Sequence, residues 1–209
     1  MKHIAHQQLN LPADVPVMVL PGAALFPNSL LPLFIFEERY RDMLSYCLER
    51  NRMFCIAQMK PGISEAVDED DFHHIAGLGL IRACVGNENG TSQLILQGLA
   101  RVKLVNFIQH EPFRIAQIKE LRSKVENEAE ADALGIKVLE LCRSLKDKNS
   151  DLHMLLNNQI PQTTNPEIIS DFVAQAFVGD PLRRQGILEE LNVCERLRML
   201  ISALQDSYP

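Results

Sequence analysis

The sequence has no tryptophan, only three tyrosines, and fewer basic than acidic side chains. Proteins that bind nucleic acid concentrate Lys and Arg on one face and stack bases on aromatic rings. With a formal net charge of −6, this chain has too little basic charge for general binding to the phosphate backbone. Nucleic acid is therefore not an expected partner.

Long hydrophobic runs are also missing. A membrane-spanning helix needs ~20 predominantly apolar residues. The best candidate run is interrupted by Pro32 and ends at Glu37 and Glu38. The first seven residues, MKHIAHQ, lack the apolar core of a signal peptide. We therefore predict a cytoplasmic protein without membrane contact.

Metal-binding patterns are sparse. The five cysteines are scattered and none forms a C-x-x-C pair, so a tetrahedral zinc site has no support, and reduced thiols in a reducing compartment are expected. His73 and His74 follow an acidic run, residues 65–71, that lacks the ligand spacing and glycine of a calcium loop. We interpret this run as an exposed loop and predict neither a metal nor a cofactor.

Catalytic motifs are missing as well. The sequence has no G-x-x-x-x-G-K-[ST] loop to cradle phosphates and no G-x-S-x-G elbow to present a serine nucleophile. We therefore predict that the chain is not an enzyme. A small-molecule site of unknown chemistry stays open as an alternative, because it would be recognised only by a deep pocket with convergent polar groups.

The richest pattern lies in VPVMVLPGAALFPNSLLPLFIFEERY, residues 15–40. Valines at alternate positions predict a strand that ends at Pro21-Gly22. A turn at residues 26–29 leads into a second apolar strand, residues 30–36, and Glu38 begins a helix. Its spacing of i, i+3, i+4, i+7 and i+8 predicts a buried face. That face consists of Tyr40, Met43, Leu44, Cys47 and Leu48.

Five further strands are predicted before residue 121. They are residues 53–59, 75–85, 93–97, 102–107 and 113–118. Asn89-Gly90 supplies the positive φ of a hairpin turn, and residues 98–101 are interpreted as a connection. Short connections after a single helix favour a curved sheet or open barrel over residues 13–121. Residues 1–12 are predicted to be a polar tail.

From Arg122 to the end of the chain the pattern is helical. Asn165-Pro166 and Asp180-Pro181 each combine an N-cap with a proline at the first helical position. Asn192, with Glu195 three residues on, resembles a capping box, and Asp151 is predicted to cap a short helix through Asn158. The inner face predicted for the helix after Pro166 is Ile169, Phe172, Ala176 and Phe177. The fold class is therefore α+β, with a helical bundle over residues 122–209.

Several of these patterns together resemble the N-terminal domain of Lon proteases. The matching segments at the start of the chain are Leu20-Pro21, Phe26-Pro27, Leu31-Pro32-Leu33-Phe34 and Glu38-Arg39-Tyr40. Further matches are residues 169–174, 185–189 and 193–197, so the resemblance covers roughly residues 13–205. Gly186 and the pair Arg183-Arg184 depart from the family pattern.

The resemblance implies a PUA-like barrel beside the helical bundle, without the ATPase and protease modules of a full Lon protease. It also implies a polypeptide-binding module, with unfolded or client polypeptides and an ATP-dependent protease as expected partners. RNA binding is an alternative, because PUA-like barrels elsewhere bind RNA. Apolar residues in a turn region are less consistently buried than those in strands, so we predict Phe26, Leu30 and Leu31 as contact residues. Arg101 is interpreted as pinning a loop or strand end.

Overall fold

The computed structural model describes residues 11–148 and 163–207. The tail predicted for the first residues lies outside this part up to residue 10, and so does the helix predicted for residues 151–158. The described residues form six strands, a 3₁₀ turn at Glu69–Asp71 and five α-helices. The strands are β1 (Asp14–Pro21), β2 (Leu30–Ile35), β3 (Met53–Met59), β4 (Ile75–Gly86), β5 (Ser92–Gln109) and β6 (Arg114–Leu121). The helices are α1 (Glu38–Leu48), α2 (Glu128–Lys148), α3 (Pro166–Phe177), α4 (Pro181–Glu189) and α5 (Val193–Ser207).

The sheet closes on itself. Its strand order is β2-β5-β4-β3-β1-β6, and β6 also pairs with β5. The only parallel pair in this described sheet is β1 with β3, with Val17 opposite Cys55, whereas β1 and β6 are antiparallel. Five strands thus form a hydrogen-bonded circuit, and β2 remains outside it at an edge. The barrel is therefore closed where the sequence pattern favoured an open one.

Strand β5 is a single strand of 18 residues, so the prediction of two strands joined by residues 98–101 is wrong. Position 98 within β5 is a glycine because the backbone of Phe26 crosses the strand closely there. A Cβ atom at Gly98 would lie 1.9 Å from the carbonyl oxygen of Phe26. The glycine therefore provides space for a crossing loop and does not end the strand.

Helix α1 packs against the sheet with the side chains that its spacing predicts. Tyr40, Met43, Leu44 and Cys47 are buried, whereas Leu48 is exposed. The Tyr40 hydroxyl donates a hydrogen bond to the carbonyl oxygen of Val19 at 3.0 Å. The helix is thus joined to β1 by a hydrogen bond as well as by apolar packing.

The predicted caps at Asn165 and Asp180 are confirmed, whereas the capping box predicted at Asn192 is only half formed, because the Asn192 N–H donates to Glu190 and not to Glu195. The Asn165 side chain accepts from the N–H of Glu167 at 2.9 Å, and Asp180 accepts from the N–H of Arg183 at 2.7 Å. The Asn192 side chain accepts from an N–H in the first turn of α5, also at 2.9 Å. Each cap satisfies a donor that the helix cannot pair internally.

In the described ranges no helix is long and apolar enough to cross a bilayer.

The inner face of α3 is partly as predicted. Ile169 and Phe177 are buried and Phe172 is half-buried, but Ala176 is exposed. Val173 and Ala174 are buried instead of Ala176. The face of α3 that packs against the other helices is therefore rotated from the expected one.

The loop between β1 and β2 joins the barrel to the helices. Ala24 and Phe26 from this loop lie in the apolar core of the helical half. The N–H of Phe26 donates to the Gln175 side chain at 3.2 Å, and Arg184 donates to the carbonyl oxygen of Gly22 at 2.8 Å. The loop therefore positions the start of β2 relative to the helices.

Candidate functional site

Strand β2 presents an apolar face to solvent. Its side chains alternate, so that Leu30, Pro32 and Phe34 are exposed while Leu31 and the residues that follow in the same phase point inward. This alternation follows from the period of two in a strand. Every residue of β2 is apolar, so the side chains that point outward expose apolar surface to water.

The two neighbouring strands extend this apolar face. Pro32 lies opposite Ile95 of β5, which in turn lies opposite Ala83 of β4. In the next row, Phe34 lies opposite Gln93, and Gln93 opposite Val85. Phe36 stacks on Phe34 with 5.9 Å between ring centroids. We call this surface the β2 face, and it consists of Leu30, Pro32, Phe34, Phe36, Ala83, Val85 and Ile95.

A shallow groove of about 440 Å³ runs over the β2 face. Phe34 and Phe36 are 54% and 60% exposed, and Leu30 and Val85 are 58% and 65% exposed. With about 200 Å² for a large side chain, these four leave roughly 400–500 Å² of apolar surface in one place. The largest apolar patch on a typical monomer is about 300–600 Å² and is often functional. The β2 face is thus as large as functional patches usually are.

The charges near the β2 face lie at its ends. Arg82 donates to the Gln97 side chain beside Leu30. At the other end, Arg39 and Glu37 form an ion pair with 2.7 Å between nitrogen and oxygen. The side chains that line the groove are uncharged, so contacts there depend on apolar burial.

The backbone of β2 leaves one row of hydrogen-bonding groups without a strand partner. The N–H of Gly98 in β5 donates to the carbonyl oxygen of Ser29 at 2.9 Å. Backbone directions alternate along a strand, so the N and O atoms of Leu30, Pro32 and Phe34 point away from β5. Among the described strands, β2 pairs with β5 alone. The missing N–H of Pro32 therefore lies on the outer edge, where it removes no bond to β5.

The three predicted contact residues have different environments. Leu30 is exposed in the β2 face, and Leu31 is half-buried on the opposite face of the strand. Phe26 is completely buried, so the prediction that it is accessible to a ligand is wrong. Its turn crosses β5 and inserts the ring into the helical core, an arrangement that turn residues alone do not reveal.

The sequence contains one signal for the exposure of Phe34 and Phe36. A proline in the middle of an apolar strand is typical of an edge strand. An edge strand with no polar residue in either phase must expose apolar side chains unless something covers it. Val85 has no comparable signal, because its place in the β2 face depends on the pairing of β4 with β5 and of β5 with β2.

Arg101 lies in a buried ionic cluster between the barrel and the helices. Asp171 accepts from Arg101 Nη1 at 3.1 Å and from Arg196 Nη1 at 2.7 Å, and Arg101 Nη2 donates to the same carboxylate. Arg101 also donates to the carbonyl oxygen of Leu188, and Arg196 donates to Ser123 Oγ. Arg101 is therefore structural, but the prediction that it pins a loop or strand end is wrong, because it lies within β5 and joins that strand to α3 and α4.

The cluster is not neutral, because two guanidinium groups share one carboxylate. Burial lowers the pKa of Arg196, the nearby Arg101 guanidinium lowers it further, and Asp171 raises it. All three side chains are almost completely buried. A carboxylate in this position stabilises the docking of the helices onto the barrel and is closed to ligands.

The remaining candidate groups do not form a site. His73 Nδ1 lies 3.0 Å from a carboxylate oxygen of Glu189, whereas His74 Nε2 contacts the carbonyl oxygen of Glu69. In the part of the chain that the structure describes, no three His, Cys, Asp or Glu side chains gather as metal ligands. Burial raises the pKa of Cys47 and of Cys142 to about 12, so both thiols are protonated near neutral pH.

Comparisons of sequence identify relatives of this chain. The profile of the family described as the ATP-dependent protease La (LON) substrate-binding domain matches residues 14–206. The Lon protease of Dictyoglomus thermophilum is 24% identical over 193 residues, which are 92% of this chain and 24% of that protein. The Lon protease of Bacillus thuringiensis is 26% identical over 193 residues, with the same shares. The chain therefore spans about a quarter of the length of these relatives.

Comparisons of structure agree with those of sequence. The N-terminal domain of the Mycobacterium avium complex Lon protease superposes with a TM-score of 0.73 at 17% identity, covering 92% of this chain and 98% of that one. A Lon N-terminal domain protein from Xanthomonas campestris gives a TM-score of 0.58 at 17% identity, covering 90% and 97%. These likenesses confirm the predicted α+β fold. From its barrel, its helices and the match over residues 14–206, the chain belongs to the Lon substrate-binding domain family.

Proposed function

We propose that this chain is a non-catalytic module that binds unfolded or partly unfolded polypeptide through the β2 face. The observation that carries the proposal is the contiguous apolar surface formed by β2, β5 and β4. The description of the family as a substrate-binding domain supports it.

The shape and chemistry of the groove favour polypeptide over a small molecule. Small-molecule sites are concave and combine apolar walls with a few converging polar groups. The groove on the β2 face is shallow, and Gln93 is the one polar side chain among its lining residues. An apolar surface of this kind selects for exposed hydrophobic side chains, which folded proteins bury and unfolded segments display.

We extend the proposal to a partner and a compartment. Curated relatives that contain this domain are named Lon protease. We infer that an ATP-dependent protease receives the polypeptides that this chain binds. The cytoplasm remains the predicted compartment, on the basis of the scattered cysteines.

The test compares two matched double variants. Leu30→Ser with Val85→Ser removes two apolar side chains from the β2 face. Leu182→Ser with Val67→Ser is the control, since these residues are 52% and 71% exposed outside that face. The probe is a fluorescently labelled, carboxymethylated protein that cannot refold, and binding is measured by fluorescence anisotropy.

Burial of one large apolar side chain contributes about 1.5–3 kcal/mol. We therefore expect the β2-face variant to bind the probe at least about tenfold more weakly than the wild type. The control variant is expected to bind normally, and circular dichroism must show that both variants are folded. Equal binding by the two variants would contradict the proposal.

A further inference from the structure

We propose that the bound polypeptide adds to the sheet as an extended strand along the outer edge of β2. This inference rests on the proposed function and specifies how the polypeptide is held. It predicts that the backbone of the ligand, as well as its side chains, contributes to binding.

The edge offers a defined set of partners. The N–H groups of Leu30 and Phe34 and the carbonyl oxygens of Leu30, Pro32 and Phe34 point away from β5, as the bond between Gly98 and Ser29 establishes. An added strand pairs with such groups by main-chain hydrogen bonds. Pro32 leaves one position without a donor, so the added strand lacks one bond in its middle.

Both faces of the edge are apolar. Leu30 and Phe34 are exposed on the outer face, and Leu31 and Leu33 are half-buried on the other. The side chains of an added strand alternate between these faces. The ligand is therefore a segment of about six residues that is apolar in both phases, as expected for a core strand of an unfolded protein.

The size of the surface favours a short segment over a second copy of this chain. A stable protein–protein interface buries about 800 Å² on each partner, whereas the β2 face exposes roughly 400–500 Å² of large apolar side chains. The exposed apolar area of the β2 face is thus about half of the area that each partner of a stable dimer buries.

The inference is tested with three peptides that share the same side chains. Each has six central residues that alternate Leu and Val, two flanking lysines at each end, and a fluorophore. One peptide is unmodified, one carries N-methyl groups on its three central Leu residues, and one carries them on all six central residues. Methylation of the Leu residues removes the N–H donors along one edge of an extended peptide, since donors alternate in direction, and methylation of all six residues removes them along both edges.

We expect the fully methylated peptide to lose at least about tenfold in affinity, because three hydrogen bonds are lost. The peptide methylated on Leu alone should remain within about threefold of the unmodified peptide, because it can turn its intact edge to β2 with apolar side chains on both faces. Equal affinities for the unmodified and the fully methylated peptide would overturn the added strand while leaving polypeptide binding intact. Failure of both the unmodified peptide and the unfolded protein to bind would overturn the proposed function as well.

A variant of Pro32 provides an independent measurement. Pro32→Ala supplies the missing outward donor and reduces the apolar surface, so a gain in affinity cannot come from added burial. We expect the unmodified peptide to bind about two- to tenfold more tightly. Weaker or unchanged binding by a folded variant would overturn the inference. Self-association of the wild type that the peptide does not displace would also overturn it.

Discussion

Replacing Asp171 with asparagine should destabilise the protein severely, although the two side chains have nearly the same shape. The carboxylate is completely buried and accepts hydrogen bonds from Arg101 and Arg196. Removing one partner of a buried ion pair costs about 3–5 kcal/mol, because a charge is left buried without compensation. Here two guanidinium groups lose their counter-charge together, so we expect about 5 kcal/mol.

That loss is large beside the total stability of a domain, which is about 5–15 kcal/mol. Urea denaturation followed by far-UV circular dichroism measures it, and the slope of the unfolding free energy against urea should not change. Ser170→Ala is the control. It removes a hydroxyl that accepts from Arg196 at 3.2 Å but leaves the charges in place, and should cost about 1 kcal/mol.

A triple variant separates orphaned charge from lost packing. Arg101→Met, Asp171→Leu and Arg196→Met together replace the cluster with apolar side chains, a change that in other buried clusters is often neutral or stabilising. The carbonyl oxygen of Leu188 loses a donor, so we expect recovery of at least about half of the 5 kcal/mol. A triple variant as unstable as Asp171→Asn would refute the electrostatic reasoning, as would Asp171→Asn within about 1 kcal/mol of the wild type.

Two further predictions concern backbone space and thiol ionisation. Gly98→Ala should cost about 1–3 kcal/mol in urea denaturation, because the new Cβ would lie 1.9 Å from the oxygen of Phe26; Gly179→Ala, with no atom within 4 Å of its Cβ, should be near neutral. The thiols of Cys47 and Cys142 have pKa values of about 12 in the folded protein against 9.0 when unperturbed, so above pH 9 the unfolded state releases protons that the folded state retains. The unfolding free energy should therefore fall between pH 9 and about 12 by about 1.4 kcal/mol per pH unit for each thiol. In the Cys142→Ala variant, the contribution of that thiol to the fall should be missing. Parallel profiles of unfolding free energy against pH for the variant and the wild type would contradict this.

Local signals were the most predictable part of the fold. Asn165 and Asp180 were identified as caps because each precedes a proline at the first helical position, and both accept the expected N–H groups. The buried face of α1 followed from spacing alone, apart from Leu48 at its last turn. These features depend on neighbours within a few residues, and such neighbours are visible in the sequence.

The errors arose where distant segments meet. Gly98 was interpreted as a connection because nothing nearby in sequence shows that Phe26 crosses at that point. Phe26 was predicted to be accessible because a turn is usually at the surface, whereas this turn fills the core of helices that come much later in the chain. The candidate site was therefore predicted in part. Leu30 was predicted, but a prediction of Phe34 and Phe36 would have required β2 to be identified as an edge strand.

The loop that carries Phe26 also affects when the protein can fold during its synthesis. Its backbone N–H bonds to Gln175, 149 residues further along the chain. During synthesis the N-terminal strands leave the ribosome first, while the helices that enclose the Phe26 ring are still to be translated. We expect nascent chains that end before α3 to expose this ring and to be digested readily by protease. Protection should appear only after α5 emerges, so the barrel and the helices complete their folding together and not in sequence.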